Sequence, residues 1–256
     1  MSKPQIRVLQ NLQQVAQAAA DEFIVRSQAA IKHHGRFTVA LAGGSTPKSL
    51  YSILGERTAN NSSALDWPRI HLFFGDERHV PPDHADSNFR MANQAMISKV
   101  PVPAENVHRV KCENPDAAKA AAEYDKDLAS AFHLKDAQLP RFDLILLGMG
   151  PDGHTASLFP GTTAVQELSQ RVVANWVPKF NTWRVTFTRP VLNQAECVLL
   201  MVCGADKASP LAEVMGKGSP DTYPVKYVQP THGELIWLVD QAAAANLRAE
   251  AASNKL

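Results

Sequence analysis

The stretch that decides the fold runs from residue 37 to residue 54 and reads Phe37-Thr-Val-Ala-Leu-Ala-Gly-Gly-Ser-Thr-Pro-Lys-Ser-Leu-Tyr-Ser-Ile-Leu54. Its first six residues are almost all apolar and predict a buried strand. The glycines and the Ser-Thr-Pro that follow predict a tight turn into a helix, with Ser45 or Thr46 as the cap and Pro47 at the first helical position. A strand, a short turn and a helix in this order are typical of an α/β protein.

The same alternation continues on both sides of this stretch. Further apolar runs predict buried strands at Ile70–Phe74, Phe142–Leu147, Val198–Val202 and Leu235–Val239, and an extra, more exposed strand at Val185–Thr188. Helices are predicted at Asn11–His34, Ser87–Ile97, Asp116–Phe132, Asp206–Val214 and Gln241–Ala251. The sequence therefore predicts an α/β fold with a mostly parallel sheet flanked by helices. We expect one domain over residues 1–256, with room for a small subdomain.

Composition excludes several classes of function. The net charge is +1, so no overall basic field indicates a nucleic-acid partner. The first residues lack the apolar stretch of a signal peptide, and no window approaches the roughly 20 apolar residues of a membrane helix. Three cysteines without a CxxC pair indicate free thiols in a reducing compartment. We expect a cytoplasmic protein that binds neither membrane nor nucleic acid.

Three of the predicted strands end in polar segments that contain glycine, at Gly43–Pro47, Gly75–Arg78 and Gly148–His154. Ligands of open α/β sheets bind outside the carboxyl ends of the strands, so the three segments are expected to converge on one pocket. In the first segment, Gly43 and Gly44 allow close backbone approach, and the free amides of the next helix favour a phosphate over a plain turn. The pattern GxxxxGK[ST] of nucleoside triphosphate sites is absent.

The second segment carries Asp76, Glu77 and Arg78 at a strand end. Either carboxylate is a candidate to orient a catalytic imidazole, and Arg78 is a candidate to bind an oxyanion or a phosphate. The alternative is a surface turn closed by an internal salt bridge. His and Asp residues follow at 83–86, but without HExxH or a compact His cluster we predict no metal.

The third segment matches GxGxxG directly after a strand, which raises a dinucleotide site as an alternative. Such a site needs a long helix after the third glycine, and Pro160-Gly161 interrupts the chain there. His154 directly follows the glycines, with Asp152 two residues earlier. Because imidazole titrates near neutrality, we predict His154 as a general base, oriented by Asp76 or Asp152.

Taken together, the segments LAGGSTP, FFGDERHVPPDHADSN and LLGMGPDGHTASLFPG resemble the family of 6-phosphogluconolactonases and glucosamine-6-phosphate deaminases. The likeness continues through RVTFT and GADKA and covers most of the chain from residue 37 onward. It implies the modified Rossmann-like fold that the deaminases share with ribose-5-phosphate isomerases. It also implies hydrolysis of 6-phosphoglucono-δ-lactone to 6-phosphogluconate, in the oxidative pentose phosphate pathway, without a metal or organic cofactor.

The resemblance also implies roles for individual residues. His154 corresponds to the catalytic imidazole, and Lys207 to the lysine that binds the phosphate in the deaminases. The catalytic set is then His154, Asp76, Arg78 and Asp152, and the substrate- and phosphate-binding set is Gly43, Gly44, Ser45, Thr46, Arg184 and Lys207. Lys179 and His232 stay open as further site residues.

Other functions remain as alternatives. The deaminases carry a glutamate just before the proline and a tyrosine after the Asp-Glu pair, where this chain has Phe159 and Arg78. A covalent mechanism through Ser45 or Ser157 lacks a GxSxG elbow. A non-catalytic sugar-phosphate sensor needs an output module, for which the chain has no spare segment. We expect a small-molecule partner, and a monomer or a homodimer.

Overall fold

Six parallel strands form the central sheet of the computed structural model, which describes residues 3–60 and 65–247. In spatial order they are β1 (Gln5–Leu9), β9 (Glu234–Asp240), β8 (Cys197–Val202), β5 (Leu144–Gly148), β2 (Phe37–Leu41) and β3 (Ile70–Phe74). Every neighbouring pair is parallel. The predicted mostly parallel sheet and its five buried strands are confirmed, with ends that move by one or two residues.

The edge strand β1 was not predicted from the sequence. Its segment, QIRVL, alternates polar and apolar side chains and stays largely exposed, with Ile6 and Val8 both more than two-fifths accessible. It lacks the continuous apolar run that strands covered on both faces require. The strand forms because β9 offers it a parallel ladder from Gln5 to Leu9.

A second, smaller sheet is antiparallel and follows the order β4 (Asp76–Arg78), β7 (Thr182–Phe187) and β6 (Val172–Val177). The predicted extra strand at Val185–Thr188 corresponds to β7, which begins earlier because the chain turns back from β6. The strands β4 and β6 were not predicted: β4 has only three residues, and the apolar run of β6, VVANWV, is interrupted by Asn175. Only Gly75 separates β3 from β4, so the chain passes directly from one sheet to the other.

Six α-helices accompany the two sheets within the described residues. They are α1 (Leu12–His34), α2 (Ser45–Ala59), α3 (Asn88–Ala95), α4 (Ala117–Ala131), α5 (Arg189–Gln194) and α6 (Ala208–Met215). The predicted ends of α1 are confirmed: Asn11 accepts a hydrogen bond from the amide of Gln14, and Gly35 closes the helix at φ 88°. None of the helices described is long and apolar enough to cross a bilayer.

Three predicted helices differ in part from the structure. The segment 205–207 is a 3₁₀ turn, so the predicted helix Asp206–Val214 begins only at Ala208. The predicted helix Gln241–Ala251 opens with turns and becomes helical at residues 245–247, and its remainder lies outside the described residues. The helix after the first loop was predicted to start at Pro47 with Ser45 or Thr46 as its cap, and this is wrong: it begins at Ser45, and Gly44 takes the cap position without a side-chain hydrogen bond.

The order of the strands creates a crevice between β2 and β5. These two strands are neighbours, but the chain continues from β2 to β3 on one side and from β5 towards β8 on the other. At such a switch point the connections leave in opposite directions, so the carboxyl ends of the two strands are left uncovered. The first and third predicted loops begin there, at residues 42 and 149.

Candidate active site

Two neighbouring cavities lie at the crevice and share part of their wall. The inner cavity, about 360 Å³, is lined by residues 42–47, by Lys207 and by residues of the third loop. The outer cavity, about 640 Å³, is lined by Phe159, Phe180 and Arg184. Both are bounded by Asp76, Arg78, His154 and Ala156. The structure thus brings all three predicted loops to one place.

His154 is held through one of its two ring nitrogens. Nδ1 lies 2.5 Å from Oδ1 of Asp152, whose Oδ2 accepts a hydrogen bond from Lys179 Nζ at 2.8 Å. Burial opposes ionisation of Asp152, but the hydrogen bonds from His154 and Lys179 hold the pKa of its carboxyl well below the usual range. An ionised carboxylate only accepts hydrogen bonds, so Nδ1 carries a proton, and in the neutral imidazole Nε2 then presents its lone pair.

The imidazole ring is also fixed by packing. A Cβ on Gly150 would lie 2.1 Å from ring atoms of His154, so this position admits only glycine while the ring keeps its place. The Phe159 ring stacks on the imidazole with centroids 4.0 Å apart, and it also forms an edge-to-face pair with Phe180. Sequence reasoning singled out Phe159 only as a departure from the deaminases, and no local pattern announced the stacking.

Asp76 contacts a serine and makes no described hydrogen bond to the imidazole. Its Oδ2 accepts a hydrogen bond from Ser157 Oγ at 2.6 Å, and both side chains are buried. The carboxylate that touches His154 is therefore Asp152. The Ser157 hydroxyl donates to Asp76 and the residue is 1% exposed, which argues against a covalent mechanism through this serine.

Glu77 holds the start of α3. Its carboxylate accepts hydrogen bonds from the backbone amides of Asn88 and Phe89 at 2.7 and 2.8 Å, and burial raises the pKa of this carboxyl. The idea that Glu77 orients the imidazole is therefore wrong. Asn88 in turn donates from Nδ2 to the Asp76 carbonyl, and a Cβ on Gly43 would lie 2.1 Å from its Oδ1. This asparagine locks the first and second loops together.

The inner cavity presents the expected features of an anion site. Gly44 adopts φ 105°, and α2 begins directly after it, so its first amides open onto the cavity that Ser45 and Thr46 line. Lys207 reaches the same cavity and pairs with Asp206 at 2.5 Å. Cys203, which the sequence analysis did not single out, also lines it, and burial raises the pKa of its thiol to about 11.

The predicted cationic side chains do not all line the same cavity. Arg184 lines the outer cavity and Lys207 the inner one, while Arg78 lines both. Lys179 reaches the site only through Asp152, and His232 lines neither cavity. Across residues 3–60 and 65–247, no group of three His, Cys, Asp or Glu side chains is placed to hold a metal ion.

Comparison with known proteins gives a consistent result. Residues 10–237 match the family model described as glucosamine-6-phosphate isomerases/6-phosphogluconolactonase. The chain is 42% identical over 246 residues to 6-phosphogluconolactonases of a Nostoc and a Synechocystis species, covering 96% of this chain and 99% of each relative. It superposes on 6-phosphogluconolactonase from Trypanosoma cruzi with a TM-score of 0.84 at 31% identity, covering 96% of this chain and 98% of the other. A monomeric glucosamine-6-phosphate deaminase, at 18% identity and a TM-score of 0.77 over 94% of this chain and 99% of its own, shares the fold.

Proposed function

The chain belongs to the family of glucosamine-6-phosphate isomerases and 6-phosphogluconolactonases, and we infer that within it the chain is a 6-phosphogluconolactonase. It hydrolyses 6-phosphoglucono-δ-lactone to 6-phosphogluconate in the pentose phosphate pathway. One observation carries the chemistry: the Nε2 atom of His154 is free on the wall shared by two cavities, while Nδ1 is fixed by an ionised Asp152.

The phosphate of the substrate is proposed to lie in the inner cavity. There the first amides of α2 and the ammonium group of Lys207 face one space, and a helix N-terminus with a nearby cation is a ready site for an anion. Gly43 and Gly44 keep this wall free of side chains. Binding of the C6 phosphate would hold the lactone ring against His154. The phosphate contacts would then offset the translational entropy that the substrate loses on binding.

The reaction itself needs one proton to move and return. His154 Nε2 takes a proton from water as the water oxygen attacks C1, and the carbonyl oxygen becomes a tetrahedral alkoxide. The alkoxide collapses, the bond from C1 to the ring oxygen breaks, and Nε2 returns the proton to that leaving oxygen. The carboxylic acid left at C1 then releases its own proton to solvent and becomes the carboxylate of the product. General acid–base assistance of this kind is typically worth about 10²- to 10⁴-fold in rate. Arg78, on the shared wall, is placed to stabilise the alkoxide.

Asp76 is proposed to act by position. It ties Ser157, in the chain that follows His154, to β4, which carries Arg78. The proton acceptor and the cation are thereby kept on one rigid wall. This differs from the expectation that Asp76 sets the tautomer of His154, a task for which Asp152 has the contact.

The deaminase alternative is disfavoured by Phe159. In the family pattern a glutamate precedes the proline, whereas here an apolar ring occupies that position and stacks on the imidazole. Proton transfer on an open-chain amino sugar would lack that carboxylate. A non-catalytic sensor remains the other alternative, and turnover separates it from an enzyme. A cytoplasmic location and a monomeric or dimeric state stay predictions from the sequence.

The proposed function is tested by hydrolysis of freshly generated 6-phosphoglucono-δ-lactone with EDTA present and the spontaneous rate subtracted. We expect chelator-resistant hydrolysis by the wild type and a loss of about 10²-fold or more in kcat for His154→Ala. Glucosamine 6-phosphate serves as the control substrate, with ammonia as the readout. Ammonia release without lactone hydrolysis would show that the chain is a deaminase. Full activity of His154→Ala would show that His154 is not the general base.

A further inference from the structure

Two arginines face each other across the smaller sheet. In the antiparallel pair of β4 and β7, Arg78 lies directly opposite Arg184. Residues opposite each other in a ladder project from the same face of a sheet, so the two guanidinium groups share one side. Like charges in this position destabilise a sheet. The pair is therefore a feature that the fold alone does not explain.

Neither guanidinium is neutralised by the protein. Arg78 donates from Nη1 to the backbone carbonyl of Asp86 at 2.7 Å, and Nε of Arg184 is buried without a hydrogen-bond partner. Neither forms an ion pair with any carboxylate in the described part of the chain. Burial and the neighbouring Arg78 lower the pKa of Arg184, against the opposing effect of Asp76, Glu77 and Asp86.

The nearby carboxylates are already engaged elsewhere. Asp76 accepts the hydroxyl of Ser157, Glu77 holds the start of α3, and the side chain of Asp86 is 71% exposed. Partly buried cations without a partner are costly, and such groups concentrate at binding sites. The pair therefore indicates an anion that the protein itself does not supply.

The position of the pair limits which anion it binds. Arg184 lines only the outer cavity, Lys207 and the start of α2 line only the inner one, and Arg78 and His154 stand on the wall between them. A substrate with its phosphate in the inner cavity and C1 at His154 brings the oxygens of C1 towards the arginines. Those oxygens are neutral in the lactone, become negative as water adds, and are negative again once the carboxylic acid formed at C1 has released its proton to solvent.

We propose that Arg184 and Arg78 together bind the C1 oxygens, first as the alkoxide of the tetrahedral intermediate and then as the carboxylate of 6-phosphogluconate. The assignment rests on the proposed lactonase function, and it moves Arg184 from the phosphate end, where the sequence had suggested it, to the reacting end. No atom or charge beyond water and the lactone is needed. Since the lactone carbonyl is uncharged, these contacts strengthen in the transition state, which is where binding accelerates a reaction.

The test compares two ligands that differ at C1. The product 6-phosphogluconate carries a carboxylate there, and glucitol 6-phosphate carries a hydroxymethyl group on the same chain. Binding of each is measured by calorimetry to the wild type, to Arg184→Met and to Lys207→Met. We expect Arg184→Met to weaken 6-phosphogluconate by about ten- to a hundredfold, the range for a charged hydrogen bond, and to change glucitol 6-phosphate by less than about twofold.

Lys207→Met is the matched control, since it removes a cation at the phosphate end and should weaken both ligands by a similar factor. Equal weakening of both ligands by Arg184→Met would overturn the proposal and place the phosphate at the arginine pair. No weakening of either ligand would also overturn it. The unliganded melting temperature of Arg184→Met should change little, because the guanidinium forms no ion pair in the described part of the chain and its ring contact is with Phe180 alone, 5.7 Å from the ring centroid.

A second variant and a turnover measurement keep the proposal testable if Arg184→Met is unstable. If Arg184→Met does not fold, Arg184→Lys keeps the charge but loses the planar fork, and it should still weaken 6-phosphogluconate selectively. In turnover, Arg184→Met should lower kcat for the lactone with little change in KM. If the wild type binds the two ligands with this contrast but does not accelerate lactone hydrolysis, the lactonase assignment fails and the carboxylate site stands.

Discussion

At the scale of single residues, the site depends on which nitrogen of His154 carries a proton. Asp152 fixes the proton on Nδ1, and Lys179 supports Asp152 from the far side. The two supports differ in burial: the Asp152 side chain is 25% exposed and that of Lys179 is 54% exposed. Exposed ion pairs contribute about 0–1 kcal/mol, whereas the partly buried carboxylate that sets the tautomer controls whether Nε2 can act as a base.

This difference predicts unequal effects of two substitutions. Asp152→Asn offers an amide donor to Nδ1, which favours the tautomer with the proton on Nε2, so kcat should fall by about 10²-fold or more. Lys179→Met leaves the carboxylate in contact with the ring and should lower kcat by less than about fivefold. Both are measured as initial rates of lactone hydrolysis, with circular dichroism to verify folding.

The relative activities of the two variants separate a lysine that supports Asp152 from one that contacts the substrate. If Lys179→Met lost as much activity as Asp152→Asn, the lysine would have to touch the substrate, and its role as a support of the carboxylate would be wrong. Equal activity of Asp152→Asn and wild type would instead mean that another group sets the tautomer, with the buried Asp76 as the next candidate.

At the scale of elements, the loop after β5 makes room for the imidazole because it has a glycine, without a Cβ, beside the ring. The Gly150 position leaves no room for a Cβ beside the ring of His154, whereas a Cβ on Gly161, in the same connection, would meet nothing within 4 Å. Gly161 has φ 72°, so a side chain there costs backbone strain alone.

These two glycines form a matched pair for mutagenesis. Gly150→Ala should displace the imidazole and lower kcat by about 10²-fold, the lower range for loss of a positioned base. Gly161→Ala should destabilise the fold by about 1 kcal/mol and leave kcat within twofold. The readouts are denaturant unfolding and lactone hydrolysis. Retained activity in Gly150→Ala would show that the loop can shift without losing the base.

The elements also show what the sequence could and could not determine. The buried strands were predictable because strands covered on both faces need continuous apolar runs, such as Phe37–Leu41. The edge strand β1 and the short β4 were not, since their pairing depends on partners distant in sequence. The meeting of the three loops followed from the parallel order alone.

The same limit applies to the candidate site. The contact of Asp152 with His154 was among the predicted alternatives because both lie in one short loop. The bond from Ser157 to Asp76 and the opposition of Arg78 and Arg184 were out of reach, because each depends on how the second sheet is placed against the first. A motif identifies which side chains are chemically suited, and the register decides which of them face the same cavity.

At the scale of the whole molecule, the two cavities lie where the two sheets meet. The inner cavity belongs to the switch point of the parallel sheet, and the outer one is bounded by β4 and β7 of the smaller sheet. Gly75 is the only residue between β3 and β4, so the junction itself contributes the shared wall of Asp76 and Arg78. A ligand that fills both cavities therefore contacts both sheets at once.

This arrangement predicts coupled protection from hydrogen exchange. Saturating 6-phosphogluconate should slow amide exchange in the first loop, around Lys207, and in the pair of β4 and β7, because its two anionic ends contact different sheets. At a concentration of about 100 times Kd, binding adds about 2.7 kcal/mol of stability, which corresponds to a rise of roughly 5–11 °C in Tm for a chain of this size. Glucitol 6-phosphate, without the carboxylate, should protect the first loop and Lys207 but leave β4 and β7 nearly unchanged. If the product protected only the inner cavity, the two sheets would bind independently, and the span of one substrate across both cavities would be wrong.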